Sequence, residues 1–177
     1  NKYFELKLAT VLRDKEENLI PKQSTINRKS SNLFGSITNN ISENVNINYN
    51  FALDNDYKKF EYNNLNATLS FGNLITKHGF IEENGEMGDG NVLENEITYK
   101  FNENNFISFN TRRNRKLNLT EYYDLVYEYK NDCLTAGIKY KKSYYEDRDL
   151  KPTENLLFTI SLFPLTTYEH DAKELFN

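Results

Sequence analysis

Apolar and polar residues alternate with a period of two along almost the whole chain, the spacing of extended strands whose two sides meet different surroundings. In the first segment Phe4, Leu6, Leu8 and Leu12 share one side while Glu5, Lys7 and Arg13 share the other. Val45, Ile47, Tyr49, Phe51 and Leu53 alternate with Asn46, Asn48, Asn50 and Ala52. The pattern continues with Leu65, Ala67, Leu69 and Phe71, less cleanly with Leu74, Thr76, His78 and Phe80, and then with Ile97, Tyr99 and Phe101. Ile107 and Phe109, then Tyr123, Leu125, Tyr127 and Tyr129, then Leu134, Ala136, Ile138 and Tyr140 carry it on, and Leu156, Phe158, Ile160 and Leu162 close it. With a weaker segment from Leu33 to Thr38, the pattern predicts about ten strands. Helical spacing suits only the tail from Tyr168 to Phe176, and no solenoid-type repeat is present.

The connections between these segments alternate in length. Working back from the last segment, Tyr145 to Glu154 is long and Asn131-Asp132 tight; Asn114 to Thr120 is longer and Asn102 to Asn105 short. Glu82 to Asn91 is long, Gly72-Asn73 short, Asn39 to Asn44 short and Asp14 to Ser30 long. Asp54 to Asp56 breaks the rule, being brief where a long connection is due. Short turns on one side and long loops on the other are the habit of transmembrane β-barrels.

Composition narrows the classes. Mean hydropathy is -0.77, and only 38% of residues are hydrophobic, yet 13 Tyr and 12 Phe are present, which a disordered chain would lack. No run of 18 apolar residues exists, so a spanning helix is excluded and a spanning barrel is not. The formal net charge of -4 comes from charges spread along the chain, which argues against nucleic acid as a partner. Neither a basic n-region nor an apolar h-region opens the chain, and it reads as a segment of a longer parent. A soluble antiparallel sheet with one side on a core produces the same alternation, so that reading stays open. Two features favour the barrel: long polar series of Asn, Thr, Ser, Lys and Glu on one side, and Tyr or Phe near strand ends, where an aromatic girdle would lie.

Chemistry-bearing constellations are thin. His78 and His170 are the only histidines and have no ligand-type neighbours at metal spacing; no nucleophile elbow or phosphate loop appears. No catalytic residue, metal or cofactor is expected, and the chain is not expected to be an enzyme. Glu146, Asp147 and Asp149 form an acidic group that reads first as a solvated loop. Arg112, Arg113, Arg115 and Lys116 end a strand; in an outer loop they would meet anionic headgroups or saccharide phosphates, the plainer reading being a solvated loop or lumen-facing charges. Cys133 is the only cysteine: an inert thiol in an intracellular protein, or half of a bridge to a missing segment in an exported one.

From about residue 101 onward the chain resembles the C-terminal end of the lipopolysaccharide-assembly LptD family. The likeness is carried by residues 108–115 (SFNTRRNR), 120–138 (TEYYDLVYEYKNDCLTAGI), 144–152 (YYEDRDLKP) and 155–162 (NLLFTISL). It implies that residues 1–165 are the last part of a large transmembrane barrel in the outer membrane, with 166–177 as a tail. The implied activity is insertion of lipopolysaccharide into the outer leaflet. The implied partners are lipopolysaccharide, outer-membrane lipids, a lipoprotein of the LptE type and a periplasmic bridge protein of the LptA type. Cys133 would match the family cysteine bridged to the N-terminal periplasmic domain. Leu156, Leu157, Phe158, Thr159, Ile160, Ser161, Leu162 and Phe163 would form the terminal strand on one side of a lateral gate. A complete small barrel acting as a pore, and a soluble β-rich binding module, are the alternatives.

Overall fold

In the computed structural model, residues 2–144, 152–162 and 166–171 are described. They form eleven strands: β1 (Tyr3–Ala9), β2 (Leu33–Ser42), β3 (Val45–Leu53), β4 (Phe60–Phe71), β5 (Leu74–Glu83), β6 (Asn91–Lys100), β7 (Asn105–Asn114), β8 (Leu119–Lys130), β9 (Leu134–Ser143), β10 (Thr153–Leu162) and β11 (Thr166–Asp171). One short 3-10 turn, Lys22–Ser24, is the only helical element among the described residues. The strands form one antiparallel up-and-down sheet whose order follows the sequence from β1 to β11.

The described residues add an eleventh strand to the roughly ten that the pattern predicts. The additional strand is β11, which pairs with β10 from Leu157↔Asp171 to Leu162↔Thr166. The helix considered for the tail is therefore not formed over Thr166–Asp171, and residues 172–177 lie outside the described residues. Leu156–Leu162 is then not the last strand of the sheet, since β10 is paired on one side with β9 and on the other with β11. Phe163, assigned to that strand, lies outside the described residues.

The connection after β3 also resolves the break in loop parity, because it spans 54–59 and not only Asp54 to Asp56. The Asp54 carboxylate accepts from the backbone N–H groups of Lys58 (2.6 Å) and Lys59 (3.2 Å), and the Asp54 N–H donates to the Lys59 carbonyl. That Asx-type knot holds the chain off the ladder and places Tyr57 at φ 58°. The longest connections, 10–32, 84–90 and 144–152, all follow odd-numbered strands; the two shortest, 43–44 and 72–73, follow even-numbered ones. At 72–73 the two-residue hairpin turn needs a left-handed residue, and Gly72 supplies it with φ +56°.

The chain divides into two compact units, Asn1–Leu69 with His78–Leu93 and Ser70–Lys77 with Glu94–Asn177. Among the described residues neither has an ordinary hydrophobic core. Ala52 is the only buried hydrophobic residue described, while Thr25, Ser31, Asn32, Ser108 and Asp124 are the buried polar ones.

Candidate functional site

In the unit that contains β7 to β11, cross-strand register sorts side chains into two surfaces, because directly opposed residues share a face of the pleat. Phe109, Leu125, Tyr140 and Leu156 stand opposite one another in a row, and so do Ile107, Tyr127, Ile138 and Phe158. Tyr129, Ala136, Ile160 and Tyr168 make a third row. Among the described residues nothing covers them: Ile138 is 43% exposed and Ile160 48%. The apolar run along β9 or β10, from Leu134 to Tyr140 and from Leu156 to Leu162, covers about 20 Å at the usual strand rise. At the end next to the long connections it is bounded by the Lys142–Glu154 ion pair (2.6 Å) and by Tyr144, whose ring meets Tyr123 edge-on and carries the Lys142 ammonium over its face.

The unit that contains β1 to β3 repeats the arrangement. Leu6, Ile37, Tyr49 and Leu65 form one apolar row and Leu8, Gly35 and Phe51 the next. Leu6 and Leu8 are more than half exposed. Gly35 is required there for space: a Cβ would enter the Phe51 ring, which lies across the glycine and stacks at 5.5 Å on Tyr49.

The opposite face is polar in both units. Lys7, Ser36, Asn50 and Asn64 form one row, with Glu5, Thr38, Asn48 and Asn66 beside it. In the other unit Asn110, Asp124, Lys141 and Asn155 share a row. Asp124 pairs diagonally with Lys139 at 3.1 Å. Arg112 joins three strands, meeting Glu121 at 2.7 Å and also Glu94. Such pairs neutralise charges on a wet surface and contribute register more than stability.

The basic run is thereby divided. Arg112 is ion-paired on the polar face, Arg113 donates to the Asn118 side chain, and Arg115 and Lys116 lie in the 115–118 connection. Cys133 is exposed in the 131–133 turn, its N–H held by the Asn131 side chain at 3.0 Å. Leu156, Phe158, Ile160 and Leu162 lie on the apolar face of β10, while Leu157, Thr159 and Ser161 lie on the polar one. Glu146, Asp147 and Asp149 lie outside the described residues. Among the described residues no group of three or more His, Cys, Asp or Glu could hold a metal ion.

One feature had no signal in the hydrophobic pattern. The 10–32 connection folds back on itself through an isolated bridge, Leu12↔Ser30, and through bonds from Arg13 Nε to the Ile26 carbonyl and from the Ser31 N–H to the Val11 carbonyl. It meets the 84–90 connection where Asn32 Nδ2 donates to Glu61 (2.5 Å) and lies 3.7 Å from the Met87 sulfur, and where Arg28 pairs with Glu86 at 2.7 Å. Beside these loops an apolar cleft of roughly 410 Å³ opens in the polar face. Paired polar residues of this kind can be sought in loop sequences, but which residues meet cannot be read from spacing.

No protein family, no curated protein and no solved structure matches the chain.

Proposed function

We propose that the chain is a non-enzymatic segment of an outer-membrane β-barrel, the part of a lipopolysaccharide translocon of the LptD type that delivers lipopolysaccharide to the outer leaflet. The carrying observation is the uncovered apolar face of each unit, laid out in cross-strand rows on strands of which β2 to β10 are 9 to 12 residues long. Strands of about 9–11 residues are what a bilayer core requires, and an outward apolar band about 25 Å tall is what outer-membrane barrels present. In water the same surface would draw molecules together. The polar face would line a wet interior, where its ion pairs stay solvated.

The lipopolysaccharide assignment rests on the resemblance over residues 108–162, not on the sheet. Under it Cys133, exposed in a short turn, would be available for a bridge to a periplasmic domain, and the lipoprotein and bridge partners would assemble with the parent chain. A seam that opens sideways would have β11 as its edge, with β10 behind it as its first paired neighbour. Sheets open most cheaply where backbone pairing is poorest. The energy for transport would come from elsewhere in the assembly.

The alternative of a complete small pore is weakened by the strand number. With eleven described strands in an up-and-down sheet, β1 and β11 run the same way, so direct closure would need a parallel pair. A parent chain carrying these residues should partition into detergent and migrate differently on gels before and after heating. Its depletion should stop newly made lipopolysaccharide from reaching the cell surface, measured by surface labelling. A parent that stays in the aqueous phase would end the membrane reading; normal surface delivery after depletion would end the lipopolysaccharide reading and leave the barrel.

A further inference from the structure

We infer that the cleft in the polar face is a binding site for a single-chain anionic amphiphile, a linear aliphatic chain ending in a carboxylate or phosphate. This goes beyond the translocon reading and does not depend on it. A recess of roughly 410 Å³ is within the range of small-molecule sites. Its walls are mostly hydrocarbon although the surrounding rows are Asn, Ser, Thr, Lys and Glu. Ala9, Phe34 and Tyr62 of one polar-face row line it with Ser36 and Asn50 of the next, Leu8, Gly35 and Phe51 border it from the row between them, and Met87 joins the lining from the 84–90 connection. These residues come from four consecutive strands, so the cleft extends across three inter-strand spacings, about 14 Å, a shape that suits a chain better than a compact ring system. Met87 is adaptable enough to close on chains of different length.

The head group follows from charge. Among the described residues Lys7 is the only charged one lining the cleft, and it lies on β1, at the opposite end from Tyr62 on β4. Its ammonium is paired with Glu5 at 2.9 Å yet 69% exposed, so it retains donors for a second anion. An amphiphile with its tail under Met87 would place its anionic end at Lys7, where the contact is charge-assisted.

The test uses the folded chain, moved from detergent into a polymer belt so that detergent tails do not compete, or kept in buffer if it proves soluble. Dodecanoate should bind saturably at one per chain. Ser36→Phe, which puts a bulky residue that strands favour into the lining, should weaken it at least about tenfold while heat-modifiable migration or far-UV dichroism stays as in the wild type. Lys7→Glu should weaken dodecanoate and strengthen dodecyltrimethylammonium. Two-chain phosphatidic acid in vesicles is run in parallel. The inference is overturned by non-saturating uptake that Ser36→Phe leaves unchanged, by equal affinity for the two head-group charges, or by binding of the two-chain lipid alone.

Discussion

In the unit formed by residues 1–69 and 78–93 the buried polar side chains belong to a loop: Thr25 and Asn32 are fully buried, with Ser31 close behind, and on the strands only Ala52 is as enclosed among the described residues. In the unit formed by 70–77 and 94–177 they are Ser108 and Asp124, mid-strand on the polar face. The first is held by a polar loop network tied to a strand carboxylate, the second by ladder pairing and cross-strand ion pairs. Among the described residues neither is held by the packed hydrocarbon that stabilises a soluble sheet of this length, and both leave many large apolar side chains exposed. The contrast separates two sources of order: one local and polar, indifferent to the solvent on the apolar face, and one that needs that face to be covered.

Changing the apolar face should have the largest effect. Ile138→Arg puts a charge in the middle of a row, and at mid-bilayer such a residue costs about 2–4 kcal/mol. Lys139→Gln, one residue along and on the other face, removes only the exposed partner of Asp124 and should cost less. Urea titration of the chain folded into lipid vesicles would rank the two; equal midpoints for Ile138→Arg and the wild type would show that this face meets no hydrocarbon.

Burial in the loop can be tested by a smaller change. Asn32→Ala removes the amide that donates to Glu61 and leaves a carboxylate in a recess with one donor fewer. Loss of a buried partner costs about 1–3 kcal/mol. Limited proteolysis should then cut within 10–32 first, before any strand is attacked; an unchanged cleavage pattern would mean that Asn32 does not hold the loop.

How far these features could be read in advance follows from what sets them. The strands from Val45 to Leu53 and from Leu134 to Tyr140 are legible because every second residue is apolar, and the pleat alone converts that into a face. β11 was not legible: of Thr166–Asp171 only Tyr168 is a large apolar residue, and the strand exists because β10 offers it an edge. The connection at 54–59 is longer than the alternation of residues suggests because its length is set by the Asp54 knot and not by hydrophobicity. Burial of Thr25 and Asn32 was hidden for a different reason: polar residues are buried only when their partners arrive, and Glu61 lies 29 positions away from Asn32. The basic run looked continuous because sequence proximity does not tell that Arg112 turns to Glu94 and Glu121 while Arg113 turns to Asn118.

Between these sources of order stands Gly35, where the apolar face of the first unit is locked by shape. Gly35→Val would drive the Phe51 ring off the glycine and off Tyr49, and overpacking of this kind costs about 1–3 kcal/mol. Combined with Phe51→Ala the penalty should shrink, because the clashing ring is gone. A double-mutant cycle read by urea midpoints measures that coupling, and strictly additive effects would mean that the ring does not rest on the glycine.

The smallest effect expected is at Arg28, which pairs with Glu86 between the two loops of the first unit. The pair is partly exposed, and pairs of this class contribute about 0–1 kcal/mol, screened by salt. Arg28→Ala should therefore speed proteolysis of 10–32 slightly at low ionic strength and not at all in high salt, whereas Asn32→Ala should speed it at both. If Arg28→Ala matches Asn32→Ala in high salt, the loop is held by the ion pair and its neighbours more than by the Asn32–Glu61 bond. The polar half of the comparison would then have to be rebuilt around charge instead of burial.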